Sequence, residues 1–154
     1  MTAINQIISP ESIDCNVEAL SKKRALERLS ELISSSESSL SASEVFESLL
    51  ARERLGATGL GHGVAIPHGR VKNTDHILGA FIKLKSGVDF DAIDNQPVDL
   101  LFALLVPEES TDEHLQVLAA LASMFNDESF RETLRHATTP EALLALINDW
   151  QKTH

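Results

Sequence analysis

The sequence predicts a single α/β domain over residues 1–154, with a mixed β-sheet flanked on both sides by α-helices. Three observations predict this fold. Both ends of the chain carry apolar residues at helical spacing. The middle contains short apolar segments bounded by glycine and proline, which are typical of strands. A length of 154 residues, without internal repeats or a linker, fits one domain.

The N-terminal region predicts two helices separated by a serine-rich loop. The stretch "VEALSKKRALERLSELI" (17–33) places five apolar residues on one helical face: Ala25, Leu26, Leu29, Leu32 and Ile33. The loop 34–43 ends in a capping box formed by Ser41 and Glu44. The second helix follows and stops at Gly56, a residue suited to the position just beyond a helix.

The central region predicts strands. "HGVAIPH" (62–68) alternates in polarity and indicates a short strand, and another is expected near 77–84. The apolar run "PVDLLFALLVP" (97–107) is closed by a proline at each end. It is too short for a typical helix, so it predicts a strand that is buried on both faces.

Three helices are expected after the last strand. The first runs through "TDEHLQVLAALASMF", with Ser110 or Thr111 as its N-cap, and "DESFRETLRHA" indicates a short second helix. The third begins with Thr139 as N-cap and Pro140 at the first helical position. The buried stripe of the first of these helices is predicted to contain Leu118, Leu121, Ala122 and Phe125.

Composition excludes several classes of protein. The formal net charge of −10 disfavours nucleic acid and anionic membranes as partners and suits a partner with a basic patch. The single cysteine, Cys15, excludes an internal disulfide and a cysteine-only metal site. No signal peptide and no apolar run of about 18 residues is visible, so we expect a cytoplasmic protein without membrane insertion.

Two of the six histidines, His62 and His68, lie in the glycine-rich segment "GLGHGVAIPHGR" (59–70). On one strand they would stand about 20 Å apart, too far to share a metal ion. No HExxH or paired CxxC motif supplies further ligands, so no metal is expected. The glycines resemble a nucleotide-binding loop, but a helix precedes them and a strand follows, the reverse of what that loop requires.

His68 has two interpretations from local sequence alone. It sits at the end of the predicted strand, between Pro67, which fixes the backbone, and Gly69, which permits a sharp turn and leaves the imidazole exposed. Sites in α/β folds form at the carboxyl ends of strands, which favours a reactive group. A turn histidine without a role fits the same pattern equally well.

His114 is the second histidine of interest. It lies four residues before Leu118, on the buried stripe, and in the first helical turn, where backbone N–H groups favour an anion. The alternative is a histidine at the core edge that is satisfied by hydrogen bonds. That alternative is preferred unless His68 lies close by.

Several segments together resemble a known family. "GVAIPHG" (63–69) is similar to the active-site signature of mannitol/fructose-type IIA components of the bacterial phosphotransferase system. "SKKRALE" (21–27), "RERLGATGLGHGVAIPHG" (52–69) and "DAIDNQPVDLLFALLVP" (91–107) resemble its nitrogen-regulatory branch, the IIA-Ntr proteins. The resemblance covers nearly the whole chain.

The resemblance implies roles for individual residues. It implies that His68 is phosphorylated, that His114 hydrogen-bonds the phosphoryl group and that Arg52 stabilises its charge, with Arg54 as the nearby alternative. These residue types suit the chemistry, because a neutral imidazole can attack phosphorus and a guanidinium binds phosphoryl oxygens in a fork. No cofactor is needed when the donor is another phosphohistidine.

The expected function is therefore that of a phosphocarrier and regulator. The resemblance implies an HPr-like donor, target proteins such as potassium-transport regulators, and a homodimer as one state of the chain. A sugar-specific IIA component that passes phosphate to a separate IIB protein is an alternative, and so is a non-catalytic binding module. A metal-dependent hydrolase is weaker because ligands are lacking.

Overall fold

The computed structural model describes residues 3–109 and 112–154. Five α-helices in this part of the chain are α1 (Lys22–Ser35), α2 (Ala42–Leu55), α3 (Asp112–Phe125), α4 (Glu128–His136) and α5 (Pro140–Thr153). Six strands are β1 (Ile13–Val17), β2 (Gly59–Gly61), β3 (Val64–Ala65), β4 (His68–Val71), β5 (Leu78–Val88) and β6 (Val98–Pro107). Two single 3-10 turns, Ile4–Gln6 and Pro10–Ser12, precede β1.

The strands form one mixed sheet. The order is β1-β5-β6-β3-β2, and β4 also pairs with β6. The central pair, β5 and β6, is antiparallel, whereas β1 runs parallel to β5. Strands β3 and β4 both run parallel to β6, and β2 folds back antiparallel to β3. The mixed sheet that the sequence predicts is confirmed.

Strand β6 separates two hydrophobic cores, as expected for a strand buried on both faces. Leu101, Ala103 and Leu105 pack into the core beneath α1 and α2. Leu100, Phe102, Leu104 and Val106 pack into the opposite core, which is covered by α3, α4 and α5. Side chains along a strand alternate between its two faces, so one apolar run supplies both cores. Helices therefore flank the sheet on both sides, as predicted.

Several predicted helix features are confirmed. All five residues of the α1 stripe are buried. Ser41 and Glu44 form a reciprocal capping box at the start of α2, and the Thr139 side chain accepts a hydrogen bond from the Ala142 N–H at the start of α5. The predicted caps of α3, Ser110 and Thr111, lie outside the described residues. Among the described residues, no helix contains an apolar stretch that could span a membrane.

Some predicted boundaries are wrong. The helical segment 17–33 begins only at Lys22, because Ser21 caps it and Val17 belongs to β1. The strand expected near 77–84 extends further, to Val88. On α3, Leu121 and Phe125 are buried as predicted, but Leu118 and Ala122 are half-buried because they line a surface cleft.

The single strand predicted over 62–68 is also wrong. Val64 pairs with Leu100 and His68 pairs with Leu104, so β3 and β4 follow β6 in one register with a break between them. The break lies at Ile66 and Pro67, since proline has no N–H to donate to the neighbouring strand. His68 therefore begins β4 instead of ending a strand. The distance of about 20 Å between His62 and His68 assumed one continuous strand, so it does not apply.

Candidate active site

The geometry around His68 fixes its protonation pattern. The side chain is half-buried, and its Nδ1 lies 2.9 Å from the carbonyl oxygen of Ile66, just before the proline break. A carbonyl only accepts hydrogen bonds, so Nδ1 carries the proton in this contact. Nε2 of the neutral ring then holds the lone pair, which makes Nε2 the nucleophilic atom.

The surroundings of His68 favour the neutral ring. Burial is the main cause that lowers its pKa, and the Arg52 and Arg70 guanidinium groups lower it further. The hydrogen bond to Ile66 and the Glu53 carboxylate act in the opposite direction without cancelling the shift. A lowered pKa keeps the imidazole unprotonated, and hence able to attack, at neutral pH.

Strand β4 is held close to α2 through Gly69. A Cβ at this position would meet the side chain of Ser48 and would lie 2.9 Å from the Ser48 backbone. The Ser48 hydroxyl also donates to the carbonyl of Arg70 at 2.9 Å. The expected role of Gly69 in a turn is wrong, because the described glycines with positive φ are Gly61 and Gly63. Its role is the close approach of a strand to a helix.

His114 lies beside His68. It occupies the first turn of α3 and is buried on the helix face predicted from its spacing. The two imidazole centroids are 5.5 Å apart. Burial lowers the pKa of His114, as do His68 and Arg70.

Arg70 determines which nitrogen of His114 is the donor. Arg70 Nη2 lies 3.3 Å from His114 Nδ1. A guanidinium only donates, so Nδ1 is the acceptor and Nε2 carries the hydrogen. This Nε2 is buried without a hydrogen-bond partner among the described residues. A buried donor without a partner is costly in a resting protein and is explained when a ligand supplies the acceptor.

The two candidate arginines are placed differently. Arg52, in the last turn of α2, lines the same cleft as His68, and its Nη1 donates to the carbonyl of Gly56 at 2.7 Å. Arg54 is exposed on the same turn, and the lining of the cleft as described does not include it. The structure therefore brings Arg52, His68 and His114 to one region and leaves Arg54 outside it.

The cleft at His68 has a volume of about 350 Å³. Its walls are largely apolar and come from the segments on either side of β3 and from α3, with Leu60, Ile66 and Leu118 among them. Two small residues of α3, Ala119 and Ala122, also line the cleft. A larger groove of about 730 Å³ lies along α1, but neither histidine lines it.

Sequence reasoning missed Arg70. Its side chain also donates to the carbonyl of Glu108 at 3.1 Å, which ties β4 to the end of β6. His68 and Arg70 are two residues apart on one strand and therefore share a face. This two-residue spacing would have predicted that Arg70 lies beside His68. It was not used because the predicted strand ended at His68.

His62, the other histidine of the segment, lies elsewhere. It sits exposed in the tight turn between β2 and β3 with a left-handed φ of 58°. Its N–H donates to Asp94 at 2.9 Å, and its carbonyl accepts from Arg135 at 2.6 Å. Within residues 3–109 and 112–154, no group of three or more metal-ligating side chains is placed to hold an ion.

Comparison with known proteins identifies the family. A family model described as "Phosphoenolpyruvate-dependent sugar phosphotransferase system, EIIA 2" matches residues 6–150. The chain belongs to this family. Membership of the EIIA 2 family implies phosphoryl transfer between proteins as the general activity.

The relatives of this chain include nitrogen regulatory proteins. One from Pseudomonas aeruginosa is 44% identical over 151 residues, which cover 98% of each chain. The crystal structure of nitrogen regulatory protein IIA-Ntr from Neisseria meningitidis is 48% identical and matches with a TM-score of 0.89, covering 94% of this chain and 98% of that one. The resemblance to the nitrogen-regulatory branch is thereby confirmed.

A more distant relative was solved with a partner. In a complex of enzyme IIAMTL and phosphorylated enzyme IIBMTL from Escherichia coli, the matching chain is 26% identical with a TM-score of 0.77. The match covers 92% of this chain and 97% of that one. The fold is thus shared between nitrogen-regulatory and sugar-specific members of the family.

Proposed function

We propose that the chain is a cytoplasmic phosphocarrier and regulator that accepts a phosphoryl group on Nε2 of His68 from a phosphohistidine of an HPr-like carrier. One observation carries the proposal: the Nδ1–H of His68 is engaged by the Ile66 carbonyl, 2.9 Å away, which leaves the Nε2 lone pair for attack. Burial keeps this ring neutral by lowering its pKa.

The transfer is a displacement at phosphorus. The Nε2 lone pair of His68 forms the new N–P bond while the N–P bond on the donor breaks, and the donor nitrogen keeps that electron pair. The phosphorylated ring of His68 gains positive charge at this step. Its Nδ1–H then binds the Ile66 carbonyl more strongly, because hydrogen bonds to charged groups are stronger than neutral ones.

Two neighbours stabilise the moving phosphoryl group. His114 donates from Nε2, the buried nitrogen that has no acceptor among the described residues. Arg52 supplies a positive charge and planar N–H groups from the cleft wall. Both act on the oxygens, where charge accumulates in a loose transition state, and neither requires a metal ion.

The surface around the cleft suits a protein donor. Leu60, on the cleft wall, is 41% exposed, and Leu115, next to His114, is 64% exposed. Leu55, at the end of α2, is 85% exposed. Exposed apolar side chains on the cleft wall and on the adjacent helices allow a partner to exclude water during transfer.

Regulation follows from the charge of the phosphorylated histidine. The phosphoryl group adds negative charge beside the exposed side chain of Leu60 on the cleft wall and changes what that surface binds. The full-length similarity to nitrogen regulatory proteins supports a regulatory role. Target proteins such as potassium-transport regulators belong to this proposal.

The second candidate is a sugar-specific IIA component that passes phosphate to a separate IIB protein. The structural match to a IIA protein solved with a phosphorylated IIB partner favours it. The two functions use the same chemistry at His68 and differ in the acceptor.

The test is phosphorylation with labelled phosphoenolpyruvate, the general phosphotransferase enzyme and an HPr-like carrier. We expect acid-labile label on the wild type and on His62→Ala, the matched histidine of the same segment, but none on His68→Ala. Label that persists in His68→Ala would overturn the assignment. Absence of label from the wild type with cognate partners would favour a binding module, and release of label to an added IIB protein would favour the sugar-specific role.

His114→Ala forms a second arm of this experiment. We expect His68 still to be labelled, with a shorter phosphohistidine lifetime or slower onward transfer, because a hydrogen bond to the phosphoryl oxygens is lost. Unchanged lifetime and unchanged transfer in both directions would exclude this role for His114.

A further inference from the structure

A buried carboxylate beside the cleft has no part in the transfer described above. Glu53 follows Arg52 on the last turn of α2, and only 2% of its side chain is exposed. A buried carboxylate is costly unless it is paired and hydrogen-bonded. Its partners therefore indicate what it is retained for.

Glu53 is fully engaged, and most of its bonds go to one residue. The Glu53 carboxylate accepts hydrogen bonds from both the N–H and the hydroxyl of Thr58, the N–H at 3.3 Å. Lys22 Nζ pairs with it at 2.9 Å, and the same ammonium lies 4.6 Å from the ring centre of Phe90. This arrangement fixes the position of Thr58 on the cleft wall.

Thr58 connects this ion pair to the reactive histidine through the backbone. The carbonyl of Thr58 accepts a hydrogen bond from the Ile66 N–H at 3.2 Å. The carbonyl of the same Ile66 residue accepts the His68 Nδ1–H at 2.9 Å. Ile66 lies at the break between β3 and β4, where Pro67 removes one backbone donor, so the Thr58 contact contributes much of the support at this position.

We propose that Glu53 is a positioning residue that, through Thr58 and Ile66, holds His68 in the tautomer with Nε2 free to accept the phosphoryl group. The proposal rests on the assignment of His68 as the phosphorylated residue. Glu53 itself touches neither the phosphoryl group nor the imidazole. Hydrogen-bond partners of this kind orient metal-bound histidines in the same way.

The experiment measures the tautomer directly. Long-range ¹H–¹⁵N correlations of the imidazole nitrogens are recorded on the unphosphorylated full chain near pH 8, where imidazoles are neutral. We expect the Nδ1–H form of His68 in the wild type. In Glu53→Gln we expect a mixture that includes the Nε2–H form, together with phosphorylation slowed roughly tenfold, as when such partners of metal-bound histidines are removed.

Two further variants isolate the effect. Asp91→Asn is the matched control, since Asp91 pairs with the same Lys22 at 3.6 Å but is exposed. It should leave both the tautomer and the rate unchanged. Thr58→Val removes one hydroxyl donor and leaves Glu53 paired with Lys22, so it should fold even where Glu53→Gln does not, and it should shift the tautomer in the same direction by a smaller amount.

An unchanged His68 tautomer in the folded variants overturns the proposal, even if their stability falls. An equal shift in Asp91→Asn also overturns it, because the effect would then come from Lys22 alone. If the tautomer responds as expected but the wild type takes no label, the function proposed above fails and the positioning role of Glu53 stands. The same set of variants therefore tests the phosphorylation of His68 and the positioning role of Glu53 separately.

Discussion

Two polar clusters in this molecule each combine histidine with arginine, and they use their side chains in opposite ways. The cleft cluster consists of Arg52, His68, Arg70 and His114. The turn cluster consists of His62, Asp94, Asp99 and Arg135. Both surround the same glycine-rich segment, whose two histidines are six residues apart.

In the turn cluster, opposite charges meet. Arg135 donates to Asp99 from Nε at 3.1 Å and from Nη2 at 2.9 Å, and Nη2 also binds the His62 carbonyl. These two side chains occupy the space in which a Cβ of residue 63 would lie, which explains Gly63 there. The cluster holds a turn in place.

In the cleft cluster, capacity to bind an anion is retained. Arg52 donates to a backbone carbonyl, and Arg70 donates to an imidazole that it keeps in one tautomer. The Nε2–H of His114 has no partner in the described part of the chain. The donor on His114 without an acceptor and the positive charge of Arg52 are what a phosphoryl group requires, so this difference in hydrogen bonding distinguishes the cleft cluster from the turn cluster.

Removing the cleft arginine should have the largest effect on transfer. In Arg52→Ala we expect phosphorylation of His68 to slow by about a hundredfold, the size of effect seen when a donor to a developing oxyanion is removed. The folded state should remain intact, because within the described part of the chain the Arg52 guanidinium donates a hydrogen bond only to the Gly56 carbonyl. Rates of label uptake from the phosphorylated carrier measure the effect.

Arg54→Ala is the matched control for this prediction. It removes an equal charge from the same helical turn, outside the cleft lining as described. We expect a change of no more than about twofold, from weaker steering of the donor. Loss of transfer in Arg54→Ala with normal transfer in Arg52→Ala would reverse the assignment of the arginine.

Removing the turn arginine should reduce stability and leave the chemistry in place. Arg135→Ala leaves the half-buried carboxylate of Asp99 and the carbonyl of His62 without this donor. We expect the free energy of unfolding to fall by about 1–3 kcal/mol, the usual cost of losing charged hydrogen bonds. Urea denaturation measures it. Label uptake per folded molecule should stay within about twofold of the wild type, and its loss would show that the turn also serves the cleft.

The parts of the fold that depend on local chemistry could be predicted from sequence. Three features are predicted by a few neighbouring residues each: the capping box of Ser41 and Glu44, the Thr139–Pro140 helix start and the apolar run of β6. These signals act through neighbouring backbone groups or through periodicity, so no knowledge of the rest of the fold is needed.

The parts that depend on distant pairing could not. Strand β1 has only five residues and depends on β5 for its hydrogen bonds. Strand β4 has only four residues and follows a proline. Its partner strand, β6, lies more than thirty residues further along the chain. Because β4 was missed, Arg70 and its contact with His114 were missed too. Placement of His68, Arg52 and His114 in one region required the family resemblance together with the sheet.

The smallest expected effect concerns pH. The two clusters should lose their contributions to stability in different pH ranges. Burial lowers the pKa of His68 and of His114. Hydrogen bonds from the N–H groups of His62 and Gln96 lower the pKa of Asp94. In each case the unfolded chain binds protons more readily, so the stabilisation is complete above the unfolded pKa and is lost as pH falls through the folded one.

The histidine contribution should therefore decline as pH falls below about 6.5, and that of Asp94 only below about 4. We expect His68→Gln/His114→Gln to lose less free energy of unfolding than the wild type between pH 7.5 and 5.5. Between pH 7.5 and 5.5, the free energy of unfolding of Asp94→Asn should change with pH as it does in the wild type. The pH dependence of the two proteins should differ only below about pH 4. A double histidine variant with the full wild-type decline above pH 5.5 would mean that the cleft does not disfavour charged imidazoles. The electrostatic contrast between the two clusters would then disappear.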